Sequence, residues 1–363
     1  LKITILSLID FAHTGTYISE ALRNDFDIKC ISLQPHHLYS YSDYNYDIRK
    51  IDYVKEVEES DIIYIKDDIP PSIFLMSCEK IGIEFPSTLL SGKKIVVSGE
   101  GQIFRRDDEY YDNLSPYMAW HMFPEQMYLS ESNRIVVMTP DLKYDWVNCY
   151  LPHVYNVRDD INYWNEKNLF KITHSPSARV LKGTDSCLLP AIDVLLQKGI
   201  EFDLNLDVNV TNDVCVQHKK ETGIFFDQAH LGVYGISLLE ASQFGIPCIV
   251  NMHKKFINKS NGLLDDCPII SFDGTVDNLV NTIENFINLS TSERYKISNN
   301  TKQWTKDYHE ILATEMWKTM FNEVSDEHPI NLELVQDSID NIKNNNLYET
   351  EINNIFAITG VKQ

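Results

Sequence analysis

Between Phe225 and Asn251 the chain reads FFDQAHLGVYGISLLEASQFGIPCIVN, and no other stretch restricts the fold as much. An apolar run ends at Asp227, a loop carries Gly232 and Gly235, and Ile236, Leu238, Leu239, Ala241 and Phe244 recur at helical spacing. Gly245 and Pro247 stop that helix, because proline has no N–H with which to continue it. Residues 248–250 then supply a second apolar strand. Strand, glycine loop, helix, turn and strand make a βαβ unit, whose loop and helix start present N–H groups suited to an anion.

The same grammar runs through the rest of the chain. Lys2 to Ile9 is an apolar, β-branched strand; Gly15 follows, then a helix from Thr16 with Tyr17, Ile18, Ala21 and Leu22 on one stripe. Further strands are expected at 28–33, 62–65, 95–97 and 135–138, spaced for crossover helices and hence for a parallel sheet. A second series opens with a strand at 171–173. It continues through the loop SPSARVLKGT, a helix bearing Leu188, Leu189, Ile192, Leu195 and Leu196 with Pro190 in its first turn, and a strand over 202–208. Thr275 precedes an amphipathic helix. Ser290 with Glu293 is a capping box for one long helix carrying Trp304, Tyr308, Met316, Trp317 and Met320. Polar DDINYWNEKN lacks a sustained period, so two α/β domains are expected at 1–158 and 159–322, with a cleft between them, followed by an acidic helical tail over 323–363. The tail's Leu332, Val335, Ile339 and Ile342 suit a helix packed on a domain or on a partner subunit, which allows a homodimer.

A chain of 363 residues suits two domains of ordinary size. Its 53 acidic side chains against 32 basic ones, a net charge of -21, argue against stable binding to nucleic acid or to an anionic membrane. Seven scattered cysteines, never as CxxC, read as reduced core thiols rather than a disulfide framework or zinc site. No run is long enough to cross a bilayer and no basic-then-apolar segment opens the sequence. A cytoplasmic setting is therefore expected, peripheral at a membrane at most. Acidic pairs such as Asp67-Asp68 and Asp265-Asp266 have no histidine cluster beside them, so no metal site is expected.

DQxxxGxYGxxxLEAxxxGxP, here Asp227, Gln228, Gly232, Tyr234, Gly235, Glu240, Ala241, Gly245 and Pro247, resembles the donor-sugar motif of GT-B glycosyltransferases. It is most similar to the large retaining family numbered four. HSPSxRxxKGT, here His174, Ser175, Pro176, Ser177, Arg179, Lys182, Gly183 and Thr184, resembles a second motif of the same enzymes. The resemblance implies two Rossmann-like domains facing a cleft, and transfer of a sugar from a UDP-sugar or GDP-sugar to a hydroxyl of a saccharide, a lipid-linked glycan or another compound. It implies retained configuration and no bound metal. Arg179 and Lys182 would neutralise the donor diphosphate, and Glu240 would hold ribose hydroxyls. His174, Ser175, Gly183, Thr184, Asp227, Gln228, Gly232, Tyr234, Gly235 and Ile236 would line the donor site. Catalytic His13, with Gly15, Glu100 and Arg105, would face sugar or acceptor, although composition suits a solvated turn at Ser98–Asp108 equally well. One departure stands out: the family carries two Glu residues eight positions apart, and the earlier is Gly232 here. A nucleotide-sugar epimerase and a non-catalytic sugar-nucleotide-binding subunit are the alternatives.

Overall fold

The computed structural model describes residues 1–34, 46–47, 52–101, 123–158, 161–345 and 352–353. Among these, residues up to Val154 together with those from Ala313 onward form one compact unit, and Tyr155–Leu312 forms the other.

The first unit is built on a parallel sheet of β1 (Lys2–Ile9), β2 (Asp27–Gln34), β3 (Tyr46–Asp47), β4 (Ile62–Ile65), β5 (Lys94–Gly99), β6 (Arg134–Val137) and β7 (Cys149–Tyr150). Their order is β3-β2-β1-β4-β5-β6-β7. Between them run α1 (Thr14–Leu22), α2 (Tyr53–Glu58), α3 (Pro71–Lys80) and α4 (Glu125–Glu131). Ile3 of β1 pairs with Ile28 on one side and Ile62 on the other, and β1 is buried on both faces, as a helix-covered parallel strand must be.

The second unit holds β8 (Lys171–His174), β9 (Asp203–Leu206), β10 (Ile224–Phe226), β11 (Cys248–Asn251) and β12 (Ile270–Phe272), parallel in the order β12-β11-β10-β8-β9. Its helices are α5 (Arg179–Lys182), α6 (Leu189–Gln197), α7 (Asn212–Lys220), α8 (Ile236–Ser242), α9 (Lys254–Asn258), α10 (Val276–Ile287) and α11 (Thr291–Trp304). The SPSARVLKGT stretch, expected as a loop, contains α5, and a π-helical turn at Thr184–Leu188 leads from it into α6. Pro190 lies in the first turn of α6, where its missing N–H costs nothing. The expected Ser290–Glu293 capping box is present at the start of α11.

Winding direction reverses between β1 and β4 in the first sheet and between β8 and β10 in the second. At such a switch point neighbouring βα loops diverge, and open α/β sheets bind ligands there, beyond the strand C-termini.

One long final helix was expected over residues 290–320. Instead α11 passes through a π-helical stretch, Thr305–Leu312, into α12 (Ala313–Ser325). The wider π turns rotate the apolar stripe partway along the rod. Before the change, Trp304, Tyr308 and His309 stack within the second unit. After it, Trp317, Met320 and Phe321 join the core of the first unit, with Trp317 5.4 Å from the Tyr64 ring and donating Nε1–H to Pro152 O at 3.0 Å. Residues 313–322 therefore belong with the first unit, not with the donor domain expected over 159–322. The tail is also partly absorbed: α13 (Leu332–Asn345) buries Val335, Ile339 and Ile342, and its Lys343 pairs with Glu79 of α3 at 2.6 Å. None of the described helices is long and apolar enough to cross a membrane, and all seven cysteines are free thiols.

Trp317→Ala should lower the stability of the first unit by about 3–5 kcal/mol through lost burial and a residual cavity. Urea unfolding followed by circular dichroism checks this; an unchanged midpoint would mean that α12 is not part of that core.

Candidate functional site

At the second switch point, His174 closes β8 with no exposed surface. Its Nδ1 lies 2.9 Å from the Phe226 carbonyl, which only accepts, so Nδ1 carries the proton and Nε2 accepts from Thr184 Oγ1 at 2.8 Å. Burial pulls this histidine down to about 4, so the ring is neutral at pH 7. It is a strut tying the ends of two strands to the turn that begins α6.

Lys182, the last residue of α5, sends its ammonium to Asp227 Oδ1 at 3.2 Å, while Asp227 Oδ2 accepts the Gly235 N–H at 2.9 Å. A Cβ on Gly235 would stand 3.3 Å from Lys182 Nζ, so the ammonium sits beside the residue that caps α8. Gly183 permits this approach: its φ is +73°, and a Cβ there would come within 2.6 Å of Ala229 Cβ. Arg179 is placed differently. It is only partly buried, and its guanidinium is occupied by Asp185, with Nε 3.0 Å from Oδ2.

Farther along α8, Glu240 is buried, with one donor on each carboxylate oxygen. Asn212 Nδ2 donates to its Oε1 at 3.0 Å, and the buried ammonium of Lys219 pairs with Oε2. Ser175, following β8, donates to Asp207 Oδ2 at 2.8 Å, and His218 Nδ1 meets Asp207 Oδ1 at 2.6 Å. Gln228 is buried beside Asp227, and its Oε1 has no hydrogen-bond partner among the described residues. Tyr234 points into the aromatic cluster, its hydroxyl 3.1 Å from His309 Nε2, and Ile236 is buried at the start of α8. Gly232 has φ +71° and accepts from His253 N–H at 2.9 Å. The glutamate that the family motif carries there would be strained in this backbone.

The first switch point carries a second polar cluster. Asp10, directly after β1, accepts the Gly15 and Thr16 N–H groups at 2.9 and 3.0 Å and the Thr16 hydroxyl at 2.6 Å. Lys66, directly after β4, lies 3.4 Å from Asp10 and 3.2 Å from Glu100. Glu100 also accepts from Thr14 and Ser98, each at 3.0 Å. Burial raises the Glu100 carboxyl above its ordinary range, with Lys66 opposing the rise. Burial pulls on Lys66 in turn, but Glu100 and Asp10 outweigh it and hold the ammonium charged. A Cβ on Gly15 would crowd Cys30 Sγ at 2.8 Å. His13 is buried, left-handed at φ 56°, with its ring edge-on to Tyr17. Arg105 lies outside the described residues. Among those described, no group of His, Cys, Asp and Glu is arranged to hold a metal ion.

Lys182, Asp227 and Gly235 are thus brought together, as are His174 and Thr184, and Glu240 is held by residues the sequence did not single out. Lys219 and Asn212 had no visible signal, since a polar residue on a short helix reads as solvated. Asp10 had one: a carboxylate between a strand and a Gly-Thr helix start.

No family profile and no curated protein matches the chain by sequence. Solved structures do match by shape. The catalytic domain of starch synthase IV from Arabidopsis thaliana, bound to ADP and acarbose, has a TM-score of 0.59 at 9% identity, covering 90% of this chain and 100% of that one. An alpha-glucosyltransferase in complex with UDP and a 13-mer DNA containing a HMU base has 0.55 at 11% identity, covering 90% and 99%. A glycosyltransferase from Rickettsia africae ESF-5 has 0.55 at 10%, with the same coverage. The fold is that of the GT-B enzymes.

The His174 shift makes stability fall with acid. Its folded pKa, about 4, lies below the unfolded value near 6.5, so full stability at neutral pH is lost progressively between about pH 6.5 and 4, by roughly 3 kcal/mol. Urea midpoints of the second unit across that range should fall in the parent and flatten in His174→Gln; equal slopes would refute the assignment.

Proposed function

We propose that this protein transfers a sugar from a nucleoside diphosphate sugar to an acceptor hydroxyl, with retention at the anomeric carbon. The observation that carries the reading is the Lys182 ammonium, fixed by Asp227 beside the glycine loop that opens α8 at a switch point. A departing nucleoside diphosphate gathers negative charge, and a cation held in place beforehand stabilises it without reorganising. In this reading the bond from C1 to the phosphate oxygen breaks as the acceptor oxygen bonds to C1 on the same face. The acceptor proton passes to the departing phosphate. No protein nucleophile is needed, and the required positive charge comes from Lys182 and Arg179 rather than a metal.

Gly235 and Ile236 would offer backbone N–H groups to the phosphates, with Gly183, Thr184, His174 and Ser175 shaping the turn and Glu240 taking the ribose. Asp227 would act through Lys182, and Gln228, with its buried unpaired oxygen, would meet the sugar. His13, Gly15, Glu100 and Arg105 are assigned to the sugar or acceptor end. Two of the structural neighbours were solved with UDP or ADP, which supports a nucleotide donor. Gly232 favours one second reading: without a carboxylate there, the chain would bind a sugar nucleotide and transfer nothing.

Thermal unfolding with UDP, GDP and ADP tests the reading, since a ligand that binds only the folded state stabilises it by about 2.7 kcal/mol at a hundred times its Kd. One of the three should raise Tm. The matching sugar nucleotide should then be hydrolysed or transferred, and Lys182→Ala should lower turnover about 10²–10³-fold. Failure of all three nucleotides to bind would overturn the proposal. Binding without turnover would favour the silent subunit, and free epimerised donor an epimerase.

A further inference from the structure

Glu240 is held in a way that the donor reading does not require. Its two carboxylate oxygens are each occupied once, Oε1 by the Asn212 amide at 3.0 Å and Oε2 by the Lys219 ammonium. Both donors come from α7, Asn212 at its first residue and Lys219 two turns on, so one helix fixes the plane of the carboxylate. Lys219 is 1% exposed and lies 5.4 Å over the Phe225 ring. A buried ammonium without a carboxylate is costly, so the pair locks α7 to α8. The Glu240 backbone is anchored as well, since Gln243 donates to its carbonyl at 3.2 Å and to Tyr155.

Each carboxylate oxygen accepts two hydrogen bonds. After Asn212 and Lys219 are served, one acceptor direction remains on each oxygen. Two neighbouring acceptors in a fixed plane match two neighbouring hydroxyl donors. We infer that Lys219 and Asn212 are positioning residues that hold Glu240 as a two-point acceptor for a vicinal diol, and that this clasp sets the preference for ribo- over deoxyribonucleotides. The inference rests on the donor reading and adds to it the two side chains that make the glutamate selective. A polar site that loses one of its partner hydroxyls discriminates strongly, because a desolvated acceptor is left unpaired.

Calorimetric Kd values for UDP, GDP and ADP and for their 2′-deoxy counterparts test this in the parent, Lys219→Met, Lys219→Arg and Asn212→Ala. The parent should bind the ribonucleotide about 10–100-fold more tightly than its deoxy form. Lys219→Met should reduce the ratio to near one by weakening the ribonucleotide, Lys219→Arg should restore much of it, and Asn212→Ala should lower it partway. A purely structural role would shift Tm and leave the ratio alone. Should Lys219→Met fail to fold, the Arg and Asn212 variants read the same ratio. A ratio unchanged in the folded variants, or absent from the parent, would overturn this inference while leaving nucleotide binding standing. A parent that binds none of the nucleotides would overturn both.

Discussion

A buried carboxylate placed one residue beyond a strand is the contact on which the candidate site depends. Asp227 accepts the Gly235 N–H and holds the Lys182 ammonium, so it joins the turn after β8, the turn after β10 and the start of α8. Buried as it is, the carboxylate must be compensated, and it is compensated by the two groups that give the site its positive face. Removing either partner would leave the other charge in a low-dielectric pocket, which costs more than the pair contributes. The loop is therefore fixed before any ligand arrives, and fixed donors are the ones that stabilise developing charge.

The first unit repeats the device with different residues. Asp10 follows β1 as Asp227 follows β10; it accepts the N–H of Gly15 as Asp227 accepts that of Gly235; and Lys66 stands beside it as Lys182 stands beside Asp227. In both places a glycine lets the lysine come close, with 3.1 Å from Lys66 Cδ and 3.3 Å from Lys182 Nζ to the absent Cβ. The two clusters differ in charge. Lys66 is shared with Glu100 and sealed from solvent, leaving a surplus of carboxylate, whereas Lys182 faces one carboxylate and stays partly open. The same backbone solution thus yields one cluster whose carboxylates are closed by their own donors and one whose cation faces a single carboxylate and keeps part of its surface open.

Much of this was legible from the chain. Strands such as Ile62–Ile65 and the run after Gly245 announce themselves as short apolar segments bounded by turn residues, and α10 as a 3.6-residue stripe, because burial on a sheet or helix face imposes a period. Lys182, Asp227 and Gly235 were legible as a motif. What was hidden lies in pairings that have no period. Lys219 meets Glu240 only because α7 packs on α8, and Lys66 meets Asp10 only because β1 and β4 are neighbours across the switch point. The π stretch at Thr305–Leu312 was hidden for a related reason: the apolar pattern there looks continuous, and only the change of packing partner from Tyr234 to Tyr64 calls for a shift in phase.

Ion-pair burial also orders the basic groups by how readily they change partner. Lys219 and Glu240 are both buried and serve to hold one another, so neither is released without loss of structure. Lys182 is mostly buried against a buried carboxylate, and because an ammonium has three donors, the pair with Asp227 leaves donors of Lys182 over, which in the proposed reading a phosphate would take. Arg179 is partly exposed and Asp185 exposed, their attraction is screened by water, and opening the pair costs little. In the proposed reading, a diphosphate at the start of α8 would find Lys182 already fixed and Arg179 free to exchange its partner, so that Lys182 would give position and Arg179 adaptation. An anion held by one rigid and one adjustable cation keeps its geometry while its charge grows, the condition under which a leaving group is stabilised more than its ground state.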